Sequence, residues 1–82
     1  MSSESIEDYI KAIFQLSRDA ELVQTSAIAD RLEVRPASVS NMMRRLATLG
    51  LLDHEPYRGV QLTEEGEKLA RRMIRRHRLI ER

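Results

Sequence analysis

Two places in this 82-residue chain carry side chains whose types and spacing suit chemistry. The first is the segment from Arg35 to Leu46, RPASVSNMMRRL. On a 3.6-residue period Val39, Met42, Met43, Leu46 and Leu49 form one stripe. Ala37, Ser38, Ser40, Asn41, Arg44 and Arg45 form the opposite arc, which has no bulky apolar side chain and no carboxylate. Its hydroxyl, amide and guanidinium groups can hydrogen-bond base edges or phosphates, and the major groove of DNA admits a helix with such a face. A merely solvated helix face has the same composition. The second place is the pair His77 and Glu81, four residues apart, so that both side chains reach one point. They fall on an apolar stripe, where an imidazole and a carboxylate need partners or pay for desolvation. A divalent cation of the Mn, Fe, Co, Ni or Zn type satisfies both. A plain His–Glu hydrogen bond near a helix end satisfies them too.

The remaining polar groups offer less. Asp8 lies opposite the apolar stripe of its own helix, where solvation and a favourable dipole interaction suffice. Asp53, His54 and Glu55 read as exposed strand residues. There is no Cys, no Gly-rich phosphate loop and no Ser/His/Asp arrangement, and the serines cluster at helix starts where capping explains them. The chain makes no case for catalysis.

Elements that could position these groups follow from periodicity and punctuation. Ser5 caps a first helix with Glu7 and Asp8 in its first turn and the stripe Ile6, Tyr9, Ile10, Ile13, Phe14 and Leu16, running to about Arg18. Thr25 caps a short second helix, Ser26 to about Glu33, with Ile28, Ala29 and Leu32 inward. Pro36 opens the third helix, where its missing N–H is tolerated, and Gly50 closes it. Leu51 to Glu55 and Val60 to Leu62 read as a two-stranded hairpin turning around Tyr57 to Gly59. Arg58 at its tip can reach a phosphate or a minor groove, or serve as an ordinary turn arginine. Thr63 caps a fourth helix that continues to Arg82, with Leu69, Ala70, Met73, Ile74 and Ile80 on its stripe. Two short helices, a third with an exposed polar face, and a hairpin after it make a winged helix-turn-helix. The expected class is mainly α: a three-helix core, a two-stranded wing and the start of a long linking helix.

Composition sets the frame. The length fits one domain, with 41% hydrophobic and 33% charged residues. The absence of cysteine excludes a disulfide framework and fits a reducing cytoplasm. No apolar run is long enough to span a bilayer, and no signal peptide is evident. The net charge of +1 hides an asymmetry. Residues 1–34 hold three Lys/Arg against seven acids and residues 35–82 hold eleven against six, so the halves carry −4 and +5. A basic second half favours a nucleic-acid partner.

The ordered set of Glu7-Asp8-Tyr9-Ile10, Ile28-Ala-Asp-Arg-Leu32, Pro36-Ala-Ser-Val-Ser40, Tyr57-Arg-Gly59 and Arg76-His-Arg-Leu-Ile-Glu-Arg82 resembles the N-terminal DNA-binding domain of the diphtheria toxin repressor family of metal-dependent repressors. Within that family the chain is most similar to the manganese transport regulator branch. The resemblance implies that the third helix reads double-stranded operator DNA, with Pro36, Ala37, Ser38 and Asn41 facing bases. It places Thr25, Ser26, Ser40, Arg44 and Arg58 at backbone-contacting positions, and Arg35 opens the same face. It also implies that Asp8, His77 and Glu81 match metal-ligand positions for Mn²⁺ or Fe²⁺ as corepressor. Asp8 stands where iron-responsive members carry Met, and a hard carboxylate in that place favours manganese. Lys11 stands where the manganese branch can supply a second carboxylate.

Family members continue beyond the fourth helix with further metal ligands and a dimer interface, so the resemblance implies a homodimer when that downstream domain is present. An 82-residue chain is then a DNA-binding piece of a longer protein, or a stand-alone version without metal control. Two other readings belong beside this one. One is a metal-independent winged-helix regulator resembling the multiple antibiotic resistance regulators. The other is a winged helix that binds protein, with Arg71, Arg75 and Arg78 meeting an acidic partner.

Overall fold

The computed structural model describes residues 5–81, and side chains within that span up to Arg76. The elements run α1 (Ile6–Leu16), α2 (Thr25–Leu32), α3 (Pro36–Thr48), β1 (Leu52–Glu55), β2 (Gly59–Leu62) and α4 (Glu64–Glu81). The order matches the winged helix-turn-helix expected from the sequence. Among the described residues no helix is long and apolar enough to cross a membrane.

Helix α1 begins with a reciprocal capping box. The Ser5 hydroxyl accepts from the Asp8 N–H at 3.2 Å, and the Asp8 carboxylate accepts from the Ser5 N–H at 3.2 Å. Two of the four orphan N–H groups are thereby satisfied. Asp8, half-buried, is therefore tied into the helix start rather than solvated on an outer face. The helix ends at Leu16, the last residue of its apolar stripe and two before the expected end at Arg18, and the Ser17 hydroxyl donates to the Phe14 carbonyl at 2.7 Å.

The core joins Tyr9, Ile10 and Ile13 of α1 with Ile28, Val39, Met43, Leu46, Leu52, Val60, Ala70 and Met73. One member sits outside the named elements: Val23 forms an isolated antiparallel bridge with Val60, through N–H···O bonds of 2.8 and 2.9 Å. This bridge lays the segment before α2 along the wing. Gly59 permits the approach, since a Cβ there would lie 2.6 Å from the Val23 carbonyl oxygen.

Helix α2 departs from expectation at its start. Thr25 is its first helical residue and not its cap; Gln24 occupies the cap position without a side-chain cap bond. The Gln24 amide is used elsewhere, donating to the Arg58 carbonyl at 2.8 Å. Helix α2 ends on Glu33 in the left-handed region, φ 57° and ψ 48°, an uncommon conformation for a residue with a Cβ. Helix α3 ends instead with Gly50 at φ +79°, with Gly50 N–H on the Ala47 carbonyl and Leu51 N–H on the Leu46 carbonyl. That pairing is a Schellman closure. It swings Leu49 off the apolar stripe, leaving it 55% exposed, while Leu51 packs on the core in its place.

The hairpin pairs Leu52 with Leu62, Asp53 with Gln61, His54 with Val60 and Glu55 with Gly59. Its turn has Pro56 second and Tyr57 third, with Tyr57 at φ 67° and Arg58 N–H on the Glu55 carbonyl at 3.0 Å, the signs of a type II turn. Thr63 caps α4 as the sequence predicts: its hydroxyl accepts from the Gly66 N–H at 3.2 Å and donates to the Gly50 carbonyl at 2.7 Å. Its own N–H reaches the Leu51 carbonyl at 3.1 Å. Gly66 is buried beside that same carbonyl, 2.2 Å from where a Cβ would stand.

Candidate nucleic-acid interface

Amphipathicity decides which way α3 faces. Val39, Met43 and Leu46 are buried against α1, α2 and β1, so the arc between them must point outward. Pro36, Ala37, Ser38, Ser40, Asn41 and Arg44 are all exposed on that arc, with Arg35 at the cap position just before it. Proline at the first helical position fixes φ where no intrahelical donor is lost. The Arg44 guanidinium donates to the Asn41 side-chain oxygen, so a base-facing candidate and a backbone-contacting candidate are already joined.

The other candidates converge from either side of α3. Thr25 and Ser26 occupy the first turn of α2, whose start has no side-chain cap and therefore presents unpaired N–H groups of the kind that bind anions. Thr25 lines one cleft of about 170 Å³ together with Ser40, Met43, Arg44, Ala47 and His54. Arg58 sits exposed in the wing turn, and the Gln24–Arg58 bond ties that turn to the start of α2. Every DNA-contacting residue expected from the sequence thus lies among the described residues, on α3 or on the two segments flanking it.

Sequence reasoning gave three residues here no part in the interface. Gln24 holds the wing, Tyr57 is fully exposed at its tip, and His54 lines the cleft beside Arg44. His54 had a readable signal. It stands two residues after the buried Leu52, and strand alternation puts both on the same face of the hairpin.

The expected metal-ligand set is only partly in view. Asp8 is in the capping box of α1, and α1 packs along α4. The side chains of His77 and Glu81 lie outside the described residues. Among the described residues no three His, Cys, Asp or Glu side chains gather into a metal-holding group.

Comparison with known proteins bears on the whole arrangement. The profile described as iron dependent repressor, N-terminal DNA binding domain, matches residues 1–60. This chain belongs to the iron dependent repressor family. The HTH-type transcriptional regulator MntR of Oceanobacillus iheyensis is 42% identical over 81 residues, covering 99% of this chain and 55% of that protein. The crystal structure of IdeR from T. acidophilum superposes with a TM-score of 0.86 at 28% identity, over 95% of this chain and 37% of that one. The structure of the manganese regulator SloR gives 0.80 at 34% identity, over 96% and 37%. The chain spans about half the length of the curated relatives it matches. Family membership assigns the fold as the DNA-binding part of a transcription repressor and does not favour the metal-independent alternative.

Proposed function

We propose that this domain reads an operator in duplex DNA with α3 in the major groove, as part of a repressor controlled by Mn²⁺ or Fe²⁺. Pro36, Ala37, Ser38 and Asn41 face bases, while Thr25, Ser26, Arg35, Ser40, Arg44 and Arg58 hold the sugar-phosphate backbone. One observation carries the reading: the outward arc of α3 bears no carboxylate, and the segments on either side of it present N–H, hydroxyl and guanidinium donors. Phosphate contacts position such a helix and base contacts give it sequence preference. In the longer protein the domain works as one half of a homodimer in the cytoplasm, on an operator with matching twofold symmetry, and it has no enzymatic activity of its own.

Asp8, His77 and Glu81 form a mixed carboxylate–imidazole donor set, which suits Mn²⁺ or Fe²⁺. An ion held by these residues would supply positive charge between α1 and α4. Lys11, a cation on α1 one turn after Asp8, favours one ion over two.

Fluorescence anisotropy with a labelled duplex tests the DNA reading. Affinity should fall steeply with salt, in proportion to the phosphates engaged. A chain that leaves duplex DNA unbound at low salt overturns it. Paramagnetic broadening of Asp8 and His77 NMR signals by Mn²⁺ tests the metal reading, and unbroadened signals at millimolar ion sink it.

A further inference from the structure

The cleft between α3 and the wing holds one side chain without a role so far. We propose that His54 is a phosphate-binding residue of the DNA interface, completing with Thr25, Ser40 and Arg44 a seat for one backbone phosphate. The proposal rests on the DNA-binding reading above.

Placement comes first. His54 pairs with Val60 in the hairpin and lies on the same strand face as buried Leu52, so it is directed toward α3 and not away from it. It is nonetheless exposed at the cleft rim. The cleft is lined by Met43 and Ala47 together with two hydroxyls, a guanidinium and an imidazole from three separate elements. No carboxylate lines it. A notch of about 170 Å³ ringed by donors and free of competing acid suits a tetrahedral oxyanion.

Charge around His54 comes next. Of the elements packed about the cleft, α3 presents Arg44, α2 presents the neutral Thr25, and β2 contains no titratable residue. Asp53 and Glu55 flank His54 on its own strand and alternate to the other face. A phosphate placed between the imidazole and the guanidinium gives each an anion to face, which favours the protonated ring. Imidazole titrates near neutrality, so this change falls in an accessible range. The sign follows from linkage: a histidine whose proton is held more tightly in the complex makes the complex stronger as pH falls, and the gain disappears as pH rises through the complex's value.

The test is duplex affinity of the whole 82-residue chain at fixed salt, in metal-free buffer. Between about pH 8 and about pH 6 the unaltered chain should bind roughly fivefold to tenfold tighter. His54→Gln should bind weakly at both values, and His54→Lys tightly at both. The position is exposed, so both variants should fold, which thermal melts check. The NMR signals of the His54 ring should shift when duplex is added. A His54→Gln chain that keeps the full pH dependence, or a His54 ring whose signals ignore DNA, overturns the proposal while leaving the DNA reading intact. A chain that ignores duplex at both pH values overturns both.

Discussion

Helices α3 and α4 both carry arginines on an exposed face, and the two faces are built differently. On α3 the cations Arg35, Arg44 and Arg45 stand on or beside an arc without carboxylates, next to the wing and the open start of α2. On α4 the described cations Lys68, Arg71, Arg72, Arg75 and Arg76 share the helix with Glu64, Glu65 and Glu67. Glu67 holds Arg71 at 3.1 Å and Glu65 meets Lys68 at 3.9 Å, both largely solvent-exposed. Such i,i+3 and i,i+4 pairs add a few tenths of a kcal/mol to a helix and little else. The cleft they border, with Phe14, Arg18, Arg71, Ile74 and Arg75, shares no residue with the cleft beside α3. Six of the eleven Lys and Arg residues of the basic second half lie on α4, which packs on α1 and β2. The count of cations pointed toward nucleic acid, but most of them lie off the reading face. Location and the absence of nearby acids distinguish an interface better than a total does.

Four substitutions press on this contrast. Gly66→Ala should do the greatest harm, at the root of α4, where a Cβ meets the Leu51 carbonyl oxygen. Overfilling such a contact costs about 3 kcal/mol, visible as a lowered urea midpoint. An unchanged midpoint would mean that α4 is seated less firmly than its packing indicates. Arg44→Ala should weaken duplex binding about tenfold and lower the slope of affinity against salt by about one, with little change in melting temperature. Arg75→Ala, measured alongside it, should change affinity by less than about twofold; equal losses from the two would erase the distinction between the helices. The smallest effect contrasts the two ends of α3. Its exit uses a glycine in the left-handed region, whereas the turn leading into it places Glu33 there. Glu33→Gly should raise stability by about 0.5 to 1 kcal/mol, read by thermal denaturation.

Much of the architecture was legible because local signals agreed. Ser5, Pro36, Gly50 and Thr63 each stand where a helix boundary rule places them, and the structure finds a boundary at each. The outward arc of α3 followed from periodicity alone, since its stripe of Val39, Met43 and Leu46 had only one way to be buried. The failures share a cause: contacts between residues far apart in sequence. Thr25 looked like a cap because no local rule shows that Gln24 turns toward Arg58, 34 residues away. Val23 gave no strand signal because its bridge is a single pair with Val60. His54 is the exposed strand residue that the sequence reading expected, but its place beside α2 and α3 was not legible. Leu49 fell on the stripe but left it, once Gly50 reversed the chain. Asp8 is intermediate. Its spacing from Ser5 allowed a capping box, and the structure shows one carboxylate oxygen, Oδ2, used in it.

Thr63 gives the molecule a mechanical property. Its hydroxyl bonds the last turn of α3 through Gly50 and the first turn of α4 through Gly66, while its N–H grips Leu51. The end of α3 and the start of α4 are therefore tied together through the side chain and backbone of one residue, a direct link beside the longer chain path that runs through the hairpin.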